Sequence, residues 1–220
     1  MAILPSGGQF GRGLGDPLVV GGVIIALLPL GGVVALGWGA MALVVLYWME
    51  NAAIGLATMV RMVAVGLVSP VESPMKGIGG APFFAFQYGM FWFGHGLVIL
   101  IAFGVARKTR GAGPVEDSEF LRAIDIFWAL VVLALVRFVW EILHATVDWA
   151  TGRLARATIA EETIAPFRRL AVLHVGILLS LLVAVYAGDP AAFTLAIILA
   201  YAAWTFVQDV RRRIASPQPA

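Results

Sequence analysis

Apolar residues along this chain of 220 residues fall into long runs, which are separated by short stretches rich in charged residues, glycine and proline. A helix needs about 20 consecutive apolar residues to cross a bilayer. Six runs reach this length, and the pattern therefore predicts an all-α, polytopic transmembrane helical bundle. The six predicted segments are about Leu18–Gly37, Gly39–Leu67, Phe83–Ala106, Leu121–Ala150, Pro166–Ala187 and Ala191–Val210.

The stretches between the runs carry turn and link signals. Three prolines and three glycines fall within Ser69–Pro82, which predicts a loop. Arg107–Glu119 and Thr151–Ala165 are predicted to be polar links, and we expect the second to lie along the membrane surface. Pro166 then suits the first turn of the fifth segment, because a proline there needs no backbone N–H partner.

Residues 1–220 are predicted to form a single transmembrane domain. Residues 1–16 are predicted to be a flexible, glycine-rich leader. They lack the charged start and apolar core of a cleavable signal, so the first apolar segment is predicted to be retained as a helix. Residues 214–220 form a short tail. With both termini inside, ten of the lysines and arginines in and near the links fall on the inner side and four on the outer side. This bias predicts an N-in, C-in topology.

The amino-acid composition excludes some classes of binding partner and some kinds of chemistry. Hydrophobic residues make up 61% of the chain and charged residues 13%, against about 25% charged residues in soluble proteins. The net charge is only +2, and the basic residues lie mostly in the short links, so no nucleic acid partner is predicted. The chain has no cysteine, which excludes disulfides and thiolate metal sites. The partner that this composition implies is the lipid bilayer.

Polar side chains inside apolar segments are the best guide to function. An ionisable group near the centre of a bilayer costs at least about 2.5–3.5 kcal/mol, so it needs a partner, a cavity or a bound cation. Glu50 and Asn51 interrupt the second segment in the string Tyr47-Trp48-Met49-Glu50-Asn51. We expect both side chains to belong to a buried polar core, together with Gln87 and Arg137.

The fourth segment carries a polar face. Arg137, Glu141, His144 and Asp148 follow one another at spacings of four, three and four residues, which places them on one side of a helix. One interpretation is an ion pair between Arg137 and Glu141 with His144 hydrogen-bonded nearby. The other starts from the Glu-x-x-His spacing of Glu141 and His144, by which one helix offers two ligands to a metal.

The metal interpretation gives the leading functional hypothesis. The helical rise puts Glu50, His95, Glu141, His144 and His174 at overlapping depths. Zinc or another divalent metal would be held by His95, His144, His174 and Glu141, since imidazole and carboxylate groups are ligands for such ions. Glu50 or Glu141 would act as the catalytic base. The hypothesis is a metal-dependent membrane enzyme, of hydrolase type, with a lipid-phase substrate.

Two alternatives use the same residues. In the first, Glu50, Glu141 and the histidines line a proton or cation path in a transporter or channel. In the second, the protein is a non-catalytic subunit of a larger membrane complex, and the polar side chains are hydrogen bonds between helices. A homo-oligomer is compatible with each of them.

Three motifs together resemble a bacterial integral-membrane family of unknown function. They are Tyr47-Trp48-x-Glu50-Asn51, then Phe83-Phe84 with Tyr88-Gly89 and His95-Gly96, and finally Arg169-Leu170 with His174. The resemblance covers roughly residues 15–210 and implies a multi-pass protein of the bacterial inner, or cytoplasmic, membrane. It implies a histidine where this chain has Gln87, and it transfers no activity.

Overall fold

The computed structural model describes residues 15–38, 40–109, 117–168, 170–171 and 200–211. Over these ranges all regular secondary structure is helical, which confirms the all-α prediction. The helices are α1 (Pro17–Leu36), α2 (Ala40–Val68), α3 (Pro74–Thr109), α4 (Asp117–Ala150), the 3-10 turn η1 (Leu154–Arg156), α5 (159–168) and α6 (200–211).

Within the described ranges, four helices are long and apolar enough to cross a membrane, and they correspond to the first four predicted segments. Their apolar stretches are Pro17–Leu36, Ala42–Val68, Pro74–Ile101 and Asp125–Ala150. Most of the predicted fifth segment (172–187) and the first nine residues of the sixth (191–199) lie outside the described residues, and the rest of the sixth lies in α6. Most of the predicted leader and tail also lies outside the described residues.

The chain divides into two compact units, one of Met1–Ala40 with Val175–Ala220 and one of Met41–His174. In the first unit, α1 begins after Asp16, whose carboxylate accepts the Leu18 N–H at 2.9 Å. The same helix ends at Gly37, which adopts a left-handed conformation with φ +64°. The second unit contains α2 to α5 and nearly all the polar residues considered below.

The start of α3 corrects the prediction of a loop over Ser69–Pro82. The helix already begins at Pro74, so that only residues 69–73 connect it to α2. Pro74 takes the first helical position, where its missing N–H is harmless, and Ser73 caps the turn by accepting the Lys76 N–H on its hydroxyl at 3.3 Å. The glycines that predicted a loop are instead helical residues.

The start of α5 corrects a second prediction. The helix begins at residue 159, so that Pro166 lies inside it rather than in its first turn. A capping box sets this start: the Thr158 hydroxyl accepts the Glu161 N–H at 3.3 Å, and the Glu161 carboxylate accepts the Thr158 N–H at 3.0 Å. The second half of the predicted polar link is therefore helical.

Glycines allow α2 and α3 to pack closely as an antiparallel pair. A methyl group on Gly77 would lie 2.8 Å from the Met62 carbonyl oxygen, and one on Gly55 would lie 2.7 Å from the Tyr88 ring. Gly96 meets Trp48 in the same way, also at 2.7 Å. Because residue numbers rise along one helix as they fall along the other, the two helices run in opposite directions.

An apolar cluster joins α5 to this pair. Its buried members are Met62, Phe84, Tyr88 and Leu170, and Phe167 packs against them. The rings of Tyr88 and Phe167 meet edge to face, with centroids 5.4 Å apart. The cluster holds α5 against α2 and α3, so that polar residues of α5 face those of α2.

Candidate functional site

Arg61 is the centre of a buried ionic cluster that joins three helices. Its guanidinium group donates two hydrogen bonds to the Glu162 carboxylate, from Nε at 2.7 Å and from Nη2 at 2.8 Å. A third goes from Nη1 to Asp148 Oδ2 at 3.0 Å. All three residues are buried, with exposed fractions of 4% to 6%. We call Arg61, Asp148 and Glu162 the arginine clasp, which connects α2, α4 and α5.

A fourth charge lies beside the clasp on the turn after α4. Arg153 Nε lies 3.4 Å from the second carboxylate oxygen of Asp148 and donates to the Thr151 hydroxyl at 3.2 Å. Asp148 thus lies between two guanidinium groups. The cluster contains two positive and two negative charges, so it is neutral as a whole, which lowers the cost of burying it.

The polar face of α4 continues from Asp148 toward the N-terminal end of the helix. Arg137 forms an ion pair with Glu141 one turn along the same helix, as the spacing predicted. His144 is buried, and its ring lies 5.3 Å from that of Trp140, centroid to centroid. Glu141, His144 and Asp148 therefore follow one another over two turns of one helix.

The second polar face belongs to α2. Glu50, Asn51 and Thr58 are buried there, with exposed fractions of 2%, 5% and 6%. The backbone carbonyl of Asn51 accepts a hydrogen bond from the Tyr88 hydroxyl at 3.2 Å. Glu50, Thr58 and Arg61 recur at helical spacing, so they share the side of α2 that carries the clasp.

His95 and Gln87 are the two predicted polar residues on α3. His95 Nδ1 is 2.7 Å from the carbonyl oxygen of Phe91 on its own helix, and its ring tilts against the Phe91 ring at 4.5 Å. Because a carbonyl only accepts, Nδ1 carries the proton in this contact. Gln87 is exposed on α3. The prediction that Gln87 belongs to the buried polar core is therefore wrong.

The predicted metal centre stays a prediction. Within the ranges that the structure describes, no group of three or more His, Asp or Glu side chains is placed to hold a metal ion. His174, one of the predicted ligands, lies outside those ranges. The described part of the polar core offers carboxylates, one imidazole and guanidinium groups, and this combination favours ion pairing and proton transfer.

Arg61 and Glu162 are members of the clasp that the sequence did not single out. The predicted topology places Arg61 among the basic residues of the inner side, and Glu162 falls within the predicted polar link Thr151–Ala165. One signal was available: Arg61 is the only charged residue within Ala53–Leu67. A cation in such a stretch needs an acidic partner, although nothing in the sequence says which one.

Comparison with known proteins identifies a family whose model matches this chain. A family model described as a family of unknown function (DUF6498) matches residues 12–220. No curated protein and no solved structure matches this chain. A family of unknown function was predicted from the motifs, and the match covers slightly more of the chain than the predicted range.

Proposed function

The chain belongs to the DUF6498 family of unknown function, and we propose that it is a multi-pass membrane protein that carries protons along a polar column between α2 and α4. The column consists of Glu50 on α2 with Arg137, Glu141 and His144 on α4. The arginine clasp closes it at one end. Chains of acidic residues and histidine within membrane segments are typical of proton relays.

The distribution of exposed residues supports the membrane setting. Large apolar side chains cover the outer faces of α3 and α4, while Glu50 and Arg61 of α2 and Arg137 and Asp148 of α4 are buried. The most exposed of these apolar side chains include Phe83, Phe86, Phe93 and Leu100 on α3 and Trp128, Val139 and Trp149 on α4. A soluble protein seldom shows so wide an apolar surface. We further propose the bacterial inner membrane, with both termini inside.

The observation that carries the proposal is the burial of titratable groups at successive turns of α4. Glu141 and His144 are one turn apart, and Asp148 follows one turn later. His144 and Asp148 are buried, with exposed fractions of 3% and 4%. Histidine changes its charge near neutral pH more readily than other side chains, so His144 is suited to pass a proton to or from Glu141.

The register of the two helices supports a column longer than α4 alone. Arg61 and Asp148 are in contact, and each lies near the end of its helix. If both helices span the membrane, they run in the same direction. Glu50 lies eleven residues before Arg61, and Arg137 lies eleven residues before Asp148. Each interval corresponds to about 16 Å of helix, so Glu50 comes to the level of Arg137 and the charges alternate between the helices.

The arginine clasp closes the proton path at the end of the column that contains Asp148. Asp148 is held by Arg61 and Arg153, and Glu162 by two hydrogen bonds from Arg61. Guanidinium groups thus contact both oxygens of each carboxylate, so an arginine would have to be displaced before a proton could bind there. We therefore assign the moving protons to Glu141, His144 and Glu50, and the closed end of the path to the clasp.

Proton flux into liposomes tests the proposal. The purified protein is reconstituted with an entrapped pH-sensitive dye, and a potassium diffusion potential of each sign drives protons. We expect wild-type flux above that of empty liposomes, and flux at the empty-liposome level for Glu141→Gln and for His144→Gln. The matched control is Glu161→Gln, which neutralises an exposed glutamate and keeps the capping group.

Two results would contradict the proposal. One is wild-type flux that equals that of empty liposomes at both signs of the potential. The other is flux that both substitutions in the column leave unchanged. Far-UV circular dichroism of each variant in detergent checks that the helices are retained, so that a lost flux reports the path rather than the fold.

A further inference from the structure

We infer that the turn between α4 and α5 is a binding surface for the headgroups of anionic phospholipids. The surface consists of Trp149 at the end of α4, Arg153 and Arg156 around η1, and Met75 and Lys76 in the first turn of α3. We call it the headgroup surface. This inference requires a membrane but does not depend on proton conduction.

The turn has a defined conformation, which fixes the backbone that carries Arg153 and Arg156. Gly152 adopts a left-handed conformation with φ +66°, which directs the chain back toward the bundle. Leu154, between the two arginines, is buried with an exposed fraction of 1%. Arg153 is oriented by its contacts with Asp148 and Thr151. A surface built in this way needs little ordering when it binds a ligand.

A contact between the two links brings Lys76 to the same end of the unit. The Glu72 carboxylate, in the link before α3, accepts the N–H of Ile159 at the start of α5 at 3.2 Å. The same carboxylate lies 3.4 Å from Lys76 Nζ. The Lys76 side chain is 68% exposed, so it is accessible to a ligand in the surroundings.

The acidic residues of this end are mostly engaged with protein groups. Asp148 and Glu162 are buried against Arg61. Glu72 has a side chain that is only 12% exposed and serves Lys76 and the Ile159 N–H. Glu161 is exposed, and its carboxylate accepts the Thr158 N–H. The exposed charged side chains around this turn include two cations, Lys76 and Arg156, and one acid, Glu161, and this balance favours an anionic ligand.

Apolar side chains beside the cations distinguish a lipid from other anions. Trp149 is 64% exposed and Met75 76% exposed. Tryptophan is enriched where a membrane meets water, and basic residues next to such side chains attract anionic headgroups. A free phosphate would leave both apolar side chains in water, whereas a phospholipid covers them with its acyl chains.

Trp149 supplies a built-in probe. The protein is reconstituted in phosphatidylcholine with increasing brominated phosphatidylglycerol, and the quenching of Trp149 is taken as the difference between the wild type and Trp149→Phe. We expect a preference for phosphatidylglycerol over phosphatidylcholine. Removal of Arg156 alone as Arg156→Gln, and of both arginines as Arg153→Gln with Arg156→Gln, should weaken the relative association constant by about fivefold for each charge removed.

A matched control removes a charge from the other end of the same helix. Arg122 lies in the first turns of α4, about 40 Å from Trp149 by the helical rise, so Arg122→Gln should leave the preference unchanged. Unfolding in detergent is recorded for each variant. Because Arg156→Gln keeps the contact of Arg153 with Asp148, it remains informative where the double variant does not fold.

Three results would overturn the inference. The first is a preference for phosphatidylglycerol that Arg156→Gln leaves unchanged. The second is an equal loss of preference in Arg122→Gln. The third is protection of Trp149 from quenching by soluble glycerol phosphate, which would make the surface a site for free phosphate rather than for a lipid. A loss of proton flux alone would leave this inference intact.

Discussion

Trp48 on α2 and Trp92 on α3 bind one another reciprocally. Their rings stack with centroids 4.3 Å apart and an angle of 7° between the planes. The Trp48 Nε1–H donates to the Trp92 carbonyl oxygen at 2.9 Å, and the Trp92 Nε1–H donates to the Trp48 carbonyl oxygen at 2.8 Å. The pair fixes the register of α2 against α3 close to Glu50, and hence the position of that carboxylate.

We expect Trp48→Phe and Trp92→Phe to destabilise the protein by similar amounts. Each substitution keeps an aromatic ring but removes one hydrogen bond between helices, worth about 0.6 kcal/mol on average and up to about 1.7 kcal/mol. Unfolding in mixed detergent micelles, followed by circular dichroism, gives the two losses and that of the double variant. Since the residues are in contact, the double-mutant cycle should show a coupling of at least about 0.5 kcal/mol. Strict additivity would contradict the reciprocal arrangement.

The close approach of α2 and α3 predicts opposite effects for two neighbouring glycines. Gly77→Ala would place a methyl group 2.8 Å from the Met62 carbonyl oxygen, which is backbone and cannot move aside. We expect a loss of about 1–3 kcal/mol, as for other overpacked cores. Gly79→Ala meets no atom within 4 Å and should stabilise the helix by up to about 1 kcal/mol.

The free energy of unfolding in detergent, measured for both glycine variants, tests this prediction. Equal values for Gly77→Ala and Gly79→Ala would mean that the helices are not in contact at Gly77.

The arginine clasp predicts a large loss on removal of Arg61. Arg61→Met leaves Glu162 without its bidentate partner in a buried position, and the loss of one member of a buried ion pair costs about 3–5 kcal/mol. Lys76→Met is the matched control, because it removes a cation from an exposed pair worth about 0–1 kcal/mol. The unfolding free energies of both variants in detergent provide the comparison. A loss for Arg61→Met no larger than that for Lys76→Met would contradict the clasp.

The sequence predicts the features of this structure that depend on neighbouring residues. The bounds of α2 follow from one apolar run, and the pair of Arg137 with Glu141 follows from a spacing of four residues. The predicted start of α3 was wrong because prolines and glycines were taken as loop signals, and that of α5 was wrong because Pro166 was taken as the first turn of the helix. In the structure, Pro74 opens a helix, and Gly77 allows two helices to touch.

The clasp shows why the rest could not be predicted. Arg61 and Glu162 are separated by 101 residues, and no local pattern connects them. Their contact depends on the packing of Phe167 and Leu170 against α2 and α3, which brings α5 to Arg61. One sequence shows that a buried arginine needs a partner, but the partner is chosen by the arrangement of three helices.

The polar column requires that the inward faces of α2 and α4 lie opposite one another beyond the clasp. Ala57 lies one turn before Arg61, and Ala145 lies one turn before Asp148, and both are buried. The chain has no cysteine, so Ala57→Cys with Ala145→Cys would introduce the only two thiols. Ala57→Cys with Ala134→Cys is the control, because Ala134 lies about 16 Å further along α4.

Treatment of both double variants with a short bis-methanethiosulfonate reagent, followed by intact-mass analysis, is the most direct test. We predict one bridging reagent per chain for positions 57 and 145, and two separately attached reagents for positions 57 and 134. No bridging of the first pair would show that α2 and α4 part beyond the clasp, and bridging of the control pair would show that they meet in a different register. Either result would contradict the column.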